Sequence, residues 1–461
     1  MSSDPLARLL LVGLTTIAVL GCTAAAPPSS PPTASRSEVP EPTTARASAP
    51  ADTSPESLER PPAAWLLVGR RDEAVLHLLM STTGEVDPMA IPAGAPSTNW
   101  ERVVSATIDG AATVVRDAIV QPGSGGPELR IDDHWRLPMV GLDPVPAGRS
   151  LDGSTIVLIE RAYDPAAVRT RFAIVEHFLL GTVQTAGDAP LRLARIIDLP
   201  GAFEYDTLSP DGRILYLVEH LDGVAGGHYQ VRAVDVGTGA LRDGVIVDKT
   251  HPEESMAGSP IAQVRRNDGV VLTLYRGPQR PFIHALNSKD AWAVCIDLPP
   301  GASNDEAASL DWGMASSANG SSVYAVDASL GIAVDVDPAG LAVRRSASIG
   351  TRASTEIVLA KFGHSDPGPV GRRVILSPDG TTLFAAGADG IAVIRTGDLV
   401  MIRRDLPGSS IEALGITPDG ATLFAVLHGS GRIVGIDATT GRRLGTVPGD
   451  GYDRLLAVTP W

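Results

Sequence analysis

A short turn signal that recurs seven times constrains the fold of this chain more than any other feature of its sequence. Each copy has Ser, Thr or Arg first, Asp or Asn third and Gly fourth, and the copies are 107–110, 150–153, 209–212, 266–269, 317–320, 377–380 and 417–420. Asp and Asn suit the third position of such a turn, and glycine suits the left-handed fourth. Apolar alternation on both sides predicts that each turn closes an antiparallel hairpin.

The segments between these turns predict further short strands. Residues 382–387 and 422–427 follow their turns as apolar strands, and each is followed by another strand and a second glycine turn, at Gly397 and Gly441. Four short antiparallel strands for every 40 to 60 residues are typical of a β-propeller blade. A single such sheet cannot bury both faces, whereas radial stacking of blades can. We therefore predict an all-β propeller of seven to eight four-stranded blades over residues 63–461.

The two ends of this region predict how the ring closes. Trp65–Gly69 has the pattern of a second strand whose first strand is missing, and Leu455–Pro460 has that of a first strand with nothing after it. Pairing the two would complete one blade from both termini and would remove an open sheet edge.

The best-formed copies resemble a known repeat family. Residues 417–441 strongly resemble the YVTN-type propeller repeat, 377–407 nearly as well, and 209–248 fairly well. The resemblance implies a propeller and, because known members of that family are mostly secreted or surface proteins, a secreted or surface location. It implies no particular activity, because the repeat residues of that family specify the blade. Propellers with similar turns include lactone-hydrolysing enzymes, so the resemblance also leaves room for a hydrolase.

The N-terminus predicts a membrane anchor. Arg8 precedes an apolar run from Leu9 to Leu20, and Gly21-Cys22 follows. This resembles a bacterial lipobox, which implies a signal peptide over 1–21, lipidation of Cys22, and an extracytoplasmic domain held at the cell membrane. An ordinary secretory signal is the alternative. Ten of residues 23–62 are Pro, so we expect 22–62 to form a disordered tether.

Charge and motif content exclude several classes of function. The chain has 38 Lys and Arg against 53 Asp and Glu, a net charge of −15, which argues against a nucleic-acid binder. The sequence contains no P-loop, no H-E-x-x-H zinc helix and no G-x-S-x-G elbow. We expect no cofactor, no metal and no catalytic residue. Cys295 lies in an apolar run and is expected to be a buried, inert thiol.

A candidate ligand site follows from the geometry expected of a propeller. The starts of the inner strands and the loops between second and third strands share one end of the ring, where ligands generally bind. Polar and aromatic residues fall there, although they could equally form surface ion pairs or exposed loop positions. The candidate ligand-binding residues are Glu204, Tyr205, Asp206, His220, Asp311, Trp312, Arg373 and His428.

Three functions remain open. The first is a binding module that contacts a cell-wall component, another envelope protein or a small ligand. The second is an envelope hydrolase or lyase acting on a lactone or a saccharide. The third is a scaffold subunit of a larger envelope complex.

Overall fold

The computed structural model describes most of the chain from residue 60 to residue 459. The residues outside the description within that range are 71–72, 74, 88–89, 93, 97–101, 111, 124–125, 138–144, 161–165, 178–190, 225, 247–255, 278–279, 300–311 and 351–371. The predicted signal peptide, Cys22 and nearly all of the predicted tether also lie outside the described residues. No helix among the described residues is long and apolar enough to span a membrane.

The strands form eight sheets of four, which we number as blades in chain order. Blade 1 consists of β1 (Trp65–Arg70), β2 (Val75–Met80), β3 (Ile91–Pro92) and the C-terminal β32 (Tyr452–Thr459), and blade 2 consists of β4 (Ala95–Pro96), β5 (Arg102–Asp109), β6 (Ala112–Gly123) and β7 (Gly126–Leu137). Blade 3 consists of β8 (Val145–Arg149), β9 (Thr155–Ile159), β10 (Arg169–His177) and β11 (Leu191–Pro200), and blade 4 consists of β12 (Ala202–Leu208), β13 (Ile214–His220), β14 (His228–Asp235) and β15 (Met256–Ala257).

The second half of the ring repeats the same order. Blade 5 consists of β16 (Ser259–Arg265), β17 (Val270–Arg276), β18 (Pro281–Asn287) and β19 (Trp292–Asp297), and blade 6 consists of β20 (Trp312–Ser316), β21 (Val323–Asp327), β22 (Ile332–Asp337) and β23 (Ala342–Ser348). Blade 7 consists of β24 (Val374–Leu376), β25 (Thr382–Gly387), β26 (Gly390–Arg395) and β27 (Val400–Asp405), and blade 8 consists of β28 (Ile411–Ile416), β29 (Thr422–Leu427), β30 (Ile433–Asp437) and β31 (Arg443–Thr446). The prediction of an all-β propeller is confirmed, with eight blades.

The core lies between the blades. Within the described residues, eight apolar clusters match the eight pairs of neighbouring blades, including the pair that joins blade 8 to blade 1. Alternate residues of one strand serve the two faces, because side chains along a strand point in opposite directions. On β1, Leu66 and Val68 pack towards blade 8, and Trp65 and Leu67 pack towards blade 2. Each sheet therefore buries both of its faces only as part of the ring.

The chain termini close the ring as predicted. Strand β32 pairs antiparallel with β1, with Trp65 opposite Thr459 and Leu67 opposite Ala457. Strand β32 thus takes the innermost place in blade 1, which the first strand of the blade takes elsewhere, and it contacts β28, the first strand of blade 8.

The recurring turns have the predicted chemistry. In blade 4 the Ser209 hydroxyl donates to Asp211 Oδ1 at 2.6 Å and accepts from the Ile214 amide at 2.9 Å. The 377–380 and 417–420 turns repeat both bonds. Gly212 has φ of +69°, a left-handed conformation that glycine adopts without strain.

The first turn differs from the other six. The turn at 107–110 joins β5 to β6, which are the second and third strands of blade 2. The two-residue strand β4 pairs with Val103 and Val104 of β5 and takes the first place in this sheet. The six later turns join the first strand of a blade to the second, as expected from the repeat.

Arginines on three outermost strands tie the rims of neighbouring blades together. Arg195 of β11, Arg345 of β23 and Arg403 of β27 each donate to a carbonyl in the last turn of the next blade, at 2.5 Å to Gly237, 2.6 Å to Thr396 and 2.5 Å to Ala438. These hydrogen bonds connect neighbouring blades at the outer rim, and the apolar clusters connect them in the interior of the ring.

Candidate functional site

Two Glu–His pairs of the same spacing lie at one end of the ring. In blades 4 and 8 a glutamate stands eight residues before the turn glycine, and a histidine stands eight residues after it. His220 Nε2 lies 3.3 Å from Glu204 Oε2, and His428 Nδ1 lies 3.2 Å from Glu412 Oε2. We call this the loop end, because the loops between second and third strands lie there; the six later turns, which join first to second strands, lie at the opposite end, the turn end.

Antiparallel pairing explains how each pair forms. A hairpin turn brings a residue before the turn close to the residues that stand about equally far after it, either directly opposite or diagonally across the two strands. His220 lies opposite Ala202, and Glu204 lies opposite Val218, so Glu204 and His220 are diagonal neighbours on one face. In blade 8 the strand β29 ends at Leu427, opposite Ile411, and His428 follows directly.

The two pairs are partly open to solvent and lie far apart in the ring. The side chain of His220 is 6 % exposed and that of Glu204 is 26 % exposed, and the values for His428 and Glu412 are 21 % and 17 %. Blades 4 and 8 are four places apart in a ring of eight, so the pairs face each other across the axis. Glu204 and His220 therefore belong to one subsite, and Glu412 and His428 belong to another subsite at the same end.

Blade 4 carries a second polar cluster beside its Glu–His pair. Asp206 is buried, and Gln263 Nε2 from β16 of blade 5 donates to its Oδ1 at 3.1 Å and to its backbone carbonyl at 3.3 Å. The same Gln263 nitrogen donates to Thr273 Oγ1 at 3.1 Å. Asp206 Oδ2 is buried without a hydrogen-bond partner. The cluster thus joins the inner strands of blades 4 and 5.

Arg265 extends this cluster over three blades. From β16 of blade 5 its guanidinium donates to Tyr205 Oη of blade 4 at 2.7 Å and to the Arg149 carbonyl of blade 3 at 2.9 Å. It also lies 5.6 Å from the centre of the Tyr205 ring. The ring lies against Gly148, where an added Cβ would stand 2.1 Å from Tyr205 Cζ. Only glycine fits there, so Tyr205 is held in place by blade 3 and blade 5.

The protonation of Asp206 is unusual for a carboxyl group. Burial raises the pKa of Asp206 to about 7, and the neighbouring Glu204 carboxylate adds to the rise. The Arg265 guanidinium and the hydrogen bond from Gln263 act in the opposite direction. A carboxyl group that titrates near neutral pH can donate or accept a proton under physiological conditions.

Blades 7 and 1, on either side of blade 8, each carry an arginine near the start of the inner strand. Arg373, which directly precedes β24 of blade 7, donates to the carbonyl of Ile411, the residue before Glu412, at 3.3 Å. Arg454 of β32 in blade 1 donates to the carbonyls of Arg70 and Glu73 at 2.8 and 3.0 Å. Arg454 is buried, so its guanidinium group is not exposed on the surface of the loop end.

Trp312 takes a different place from the other predicted residues. Its side chain is fully buried in the apolar cluster between blades 5 and 6, packed among residues such as Leu272 and Val334. An indole in that position is not accessible to a ligand at the loop end. Asp311, predicted beside it, lies outside the described residues.

Sequence reasoning missed the residues that blades 3 and 5 bring to the site. Gln263 and Arg265 lie six and four residues before the turn glycine Gly269, in a repeat that matches the others poorly. One signal was available: Arg149 and Arg265 both stand four residues before their turn glycine, on the two blades that flank blade 4.

The site offers hydrogen bonding and proton exchange. Carboxylates, imidazoles, an amide and a guanidinium lie within the two subsites, so donors and acceptors of both charge signs are available to a ligand. Among the described residues, no three His, Cys, Asp or Glu side chains come close enough together to hold a metal ion.

Comparison with known proteins shows similarity of fold. No protein-family model and no curated protein sequence matches the chain. Among solved structures, AztD from Citrobacter koseri is 12 % identical, with a TM-score of 0.48, over 86 % of this chain and 97 % of that one.

Two 6-phosphogluconolactonase candidates are also similar. The one from Bacteroides fragilis covers 79 % of this chain and 99 % of its own, and the one from Bacteroides uniformis covers 85 % and 97 %; each is 16 % identical with a TM-score of 0.42. Because these identities are below 25 % and these TM-scores are below 0.5, the similarities do not extend to activity.

Proposed function

We propose that this chain is a binding module of the bacterial cell envelope that recognises its ligand at the loop end of the ring. The observation that carries the proposal is the presence of two Glu–His pairs of identical spacing at that end, in blades 4 and 8. A lipid on Cys22 and the Pro-rich segment 22–62 would hold the ring near the membrane, and the YVTN-type repeats of the sequence fit a surface protein.

The chemistry of the two subsites favours a ligand rich in hydroxyl and amide groups. Glutamate and imidazole together offer acceptors and donors within about 3 Å of each other, which suits polar groups that both donate and accept. The net charge of −15 repels polyanions. The glycan strands and peptides of a cell wall have the required groups, and we take them as the ligand class.

The two subsites suit an extended ligand. They lie on opposite sides of the axis, so a polymer that crosses the ring could contact both at once. Simultaneous contact raises the effective affinity of two weak sites, because the second contact is made within the complex.

A hydrolase or lyase acting on a lactone or saccharide is the second candidate. The observation that favours it is Asp206, whose pKa of about 7 and position two residues from Glu204 resemble a pair of carboxyl groups tuned for acid–base work. Against this candidate, both carboxylate oxygens of Asp206 lie away from solvent, one bonded to Gln263 and the other buried.

Co-sedimentation with purified peptidoglycan sacculi tests the proposal. We expect the full chain to sediment with sacculi, and the double variant Glu204→Gln, Glu412→Gln to lose most of this binding. The matched control is Asp211→Asn, Asp419→Asn, which changes one carboxylate in each of the same two blades at the turn end. This control should bind as the unchanged protein does.

Two outcomes would contradict the proposal. One is equal binding by the Glu204→Gln, Glu412→Gln variant and the unchanged protein. The other is cleavage of the sacculi, of a lactone panel or of saccharides at a rate that Asp206→Asn abolishes, which would favour the enzyme.

The anchor is tested separately by Cys22→Ala. We expect this variant to lose labelling by a palmitate analogue and to leave the membrane fraction. Labelling that persists in the variant would contradict the lipobox assignment.

A further inference from the structure

A buried carboxyl group lies two residues from the glutamate of the blade 4 Glu–His pair. The ladder between β12 and β13 shifts between Tyr205 and Thr207, so Asp206 is the extra residue of a bulge. Glu204 belongs to the regular part of the ladder, opposite Val218. The position of Glu204 therefore depends on how the neighbouring bulge is held.

One side-chain amide holds this bulge through both its side chain and its main chain. Gln263 Nε2 of β16 donates to Asp206 Oδ1 at 3.1 Å, to the Asp206 carbonyl at 3.3 Å and to Thr273 Oγ1 at 3.1 Å. An amide nitrogen has two hydrogens to share among these acceptors. A stronger bond to the Asp206 carboxyl group therefore weakens the bond to the backbone of the bulge.

The surroundings of Asp206 favour its neutral form. The residue is 5 % exposed, and its Oδ2 is buried without a hydrogen-bond partner. An ionised carboxylate offers roughly four lone pairs to donors, whereas Asp206 Oδ1 shares one amide with two other acceptors. The nearby Arg265 guanidinium donates to Tyr205 Oη and to the Arg149 carbonyl instead. In keeping with this geometry, burial raises the pKa of Asp206 to about 7.

Side chains on four strands lie near enough to Asp206 to interact with its charge. They are Glu204 of β12, Tyr229 of β14, Arg265 of β16 and Tyr275 of β17. Burial raises the pKa of both phenols well above its ordinary value, so neither phenol changes charge between pH 6 and pH 8. Further out in blade 5 lie His284 of β18, opposite Thr273, and Cys295 of β19, which is half-buried and not buried as the sequence predicts. Ionisation of Asp206 thus places a second negative charge beside Glu204.

Blade 8 has the same Glu–His pair without this carboxyl group. Leu414 stands in the place of Asp206, six residues before the turn glycine, and is fully buried. Any effect of pH that comes from the Glu–His pair itself is common to both blades. Blade 8 is therefore a control for Asp206 within the same molecule.

On the basis of the binding function proposed above, we propose that Asp206 is a positioning residue whose protonation regulates the blade 4 subsite. With Asp206 protonated, the bulge keeps Glu204 in its binding position beside His220. When Asp206 loses its proton, the carboxylate draws the Gln263 amide or the Arg265 guanidinium towards itself, and the bond from Gln263 to the backbone weakens. Glu204 then leaves its place beside His220, and the subsite binds its ligand less tightly.

Binding of the full chain to purified peptidoglycan sacculi at pH 6 and pH 8 tests this regulation. The variant Glu412→Gln leaves the blade 4 subsite, and Glu204→Gln leaves the blade 8 subsite. Between pH 6 and pH 8 we expect binding through blade 4 to weaken about tenfold more than binding through blade 8. The reason is that the protonated fraction of a group with a pKa of about 7 falls about tenfold over this range. Adding Asp206→Asn to Glu412→Gln should remove the difference.

Hydrogen exchange without any ligand tests the positioning step by itself. At pH 8 the peptide that contains 202–206 should exchange faster in the unchanged protein than in Asp206→Asn, and at pH 6 the two should agree. Each comparison is made at one pH, so the intrinsic pH dependence of exchange cancels. Equal exchange at pH 8, or the same pH dependence of binding through both blades, would overturn the proposal. If the unchanged protein binds no sacculi at either pH, the proposed function fails, and the exchange comparison alone decides whether Asp206 positions Glu204.

Discussion

Blades 4 and 8 carry the same Glu–His pair but differ in the position of a bulge on the inner strand. In blade 8 the ladder between β28 and β29 shifts at Glu412, so the glutamate of the pair is itself the extra residue. In blade 4 the shift comes two residues later, at Asp206. Because a bulge turns the extra residue away from the regular alternation, blade 4 buries a second carboxyl group that blade 8 lacks.

The neighbouring blades supply what each bulge requires. In blade 4, Gln263 of blade 5 donates a hydrogen bond to Asp206, and the positive charge of Arg265, also of blade 5, lowers the pKa of the Asp206 carboxyl group. The places that correspond to these two residues in blade 1, next to blade 8, hold Leu456 and Val458. The repeat thus sets the Glu–His pair, while the contacts between blades decide which further charges can be buried beside it.

The largest expected effect comes from giving blade 8 the carboxyl group of blade 4. Leu414 occupies the place of Asp206, six residues before the turn glycine, and is fully buried. Leu414→Asp should lower the free energy of unfolding by about 3–5 kcal/mol, because Leu414 packs in the apolar cluster between blades 7 and 8, where a carboxylate would lose its contacts with water. Urea denaturation measures this loss, with Leu414→Met as the control at below about 1.5 kcal/mol. A loss for Leu414→Asp as small as that of the control would contradict the comparison.

Removing the ionisable carboxyl group from blade 4, by Asp206→Asn, should have an effect on stability that depends on pH. The pKa of Asp206 is about 7 in the folded protein and near 3.8 in the unfolded chain. The folded state therefore binds more protons between these values, and stability falls as the pH rises from 4 to 8, by up to about 4 kcal/mol. Asp206→Asn should remove this decline, so urea denaturation should find it more stable than the unchanged protein at pH 8.

The control for this prediction is the same comparison at pH 4. There Asp206 is protonated in the folded state and only about half ionised in the unfolded chain, so most of the pH-dependent difference is absent and Asp206→Asn should change stability little. A wild-type stability that rises from pH 4 to pH 8 in step with that of the variant would contradict the assignment of a raised pKa to Asp206.

The smallest expected effect is at the turn end, where the two blades are alike. Hydrogen bonds from Ser209 and Thr417 lower the pKa of Asp211 and Asp419. Each carboxylate therefore stabilises the fold above pH 4, and this contribution is lost as the pH falls below that value. Asp211→Asn and Asp419→Asn should each cost less than about 1 kcal/mol at pH 7, because Asn319 makes the corresponding bond to Ser317 in blade 6. Unequal losses in thermal denaturation would show that the two turns are not equivalent.

The fold was predictable because its determinants are local and repeated. The turn residues, the alternating apolar strands and the half-blades at the two ends each follow from a few neighbouring residues. The position of β4 was not predictable in this way, because a strand of two residues leaves no periodic signal.

The candidate site was predictable only where the repeat itself sets it. Glu204 and His220 stand eight residues before and after their turn glycine, and the structure places them as diagonal neighbours. The burial of Asp206 depends on a bulge and on Gln263 of another blade, and the burial of Trp312 depends on the face of β20 that meets blade 5. Neither can be derived from spacing along the chain.

Hydrogen exchange measured with and without soluble cell-wall muropeptides tests the central claim most directly, because it shows which end of the ring the ligand covers. We predict slower amide exchange on binding in the peptides that contain 202–206 and 428–431, at the loop end of blades 4 and 8. The peptides that contain the turns 209–212 and 417–420 should be unchanged. Protection confined to those turns, or none at saturating muropeptide, would contradict the account.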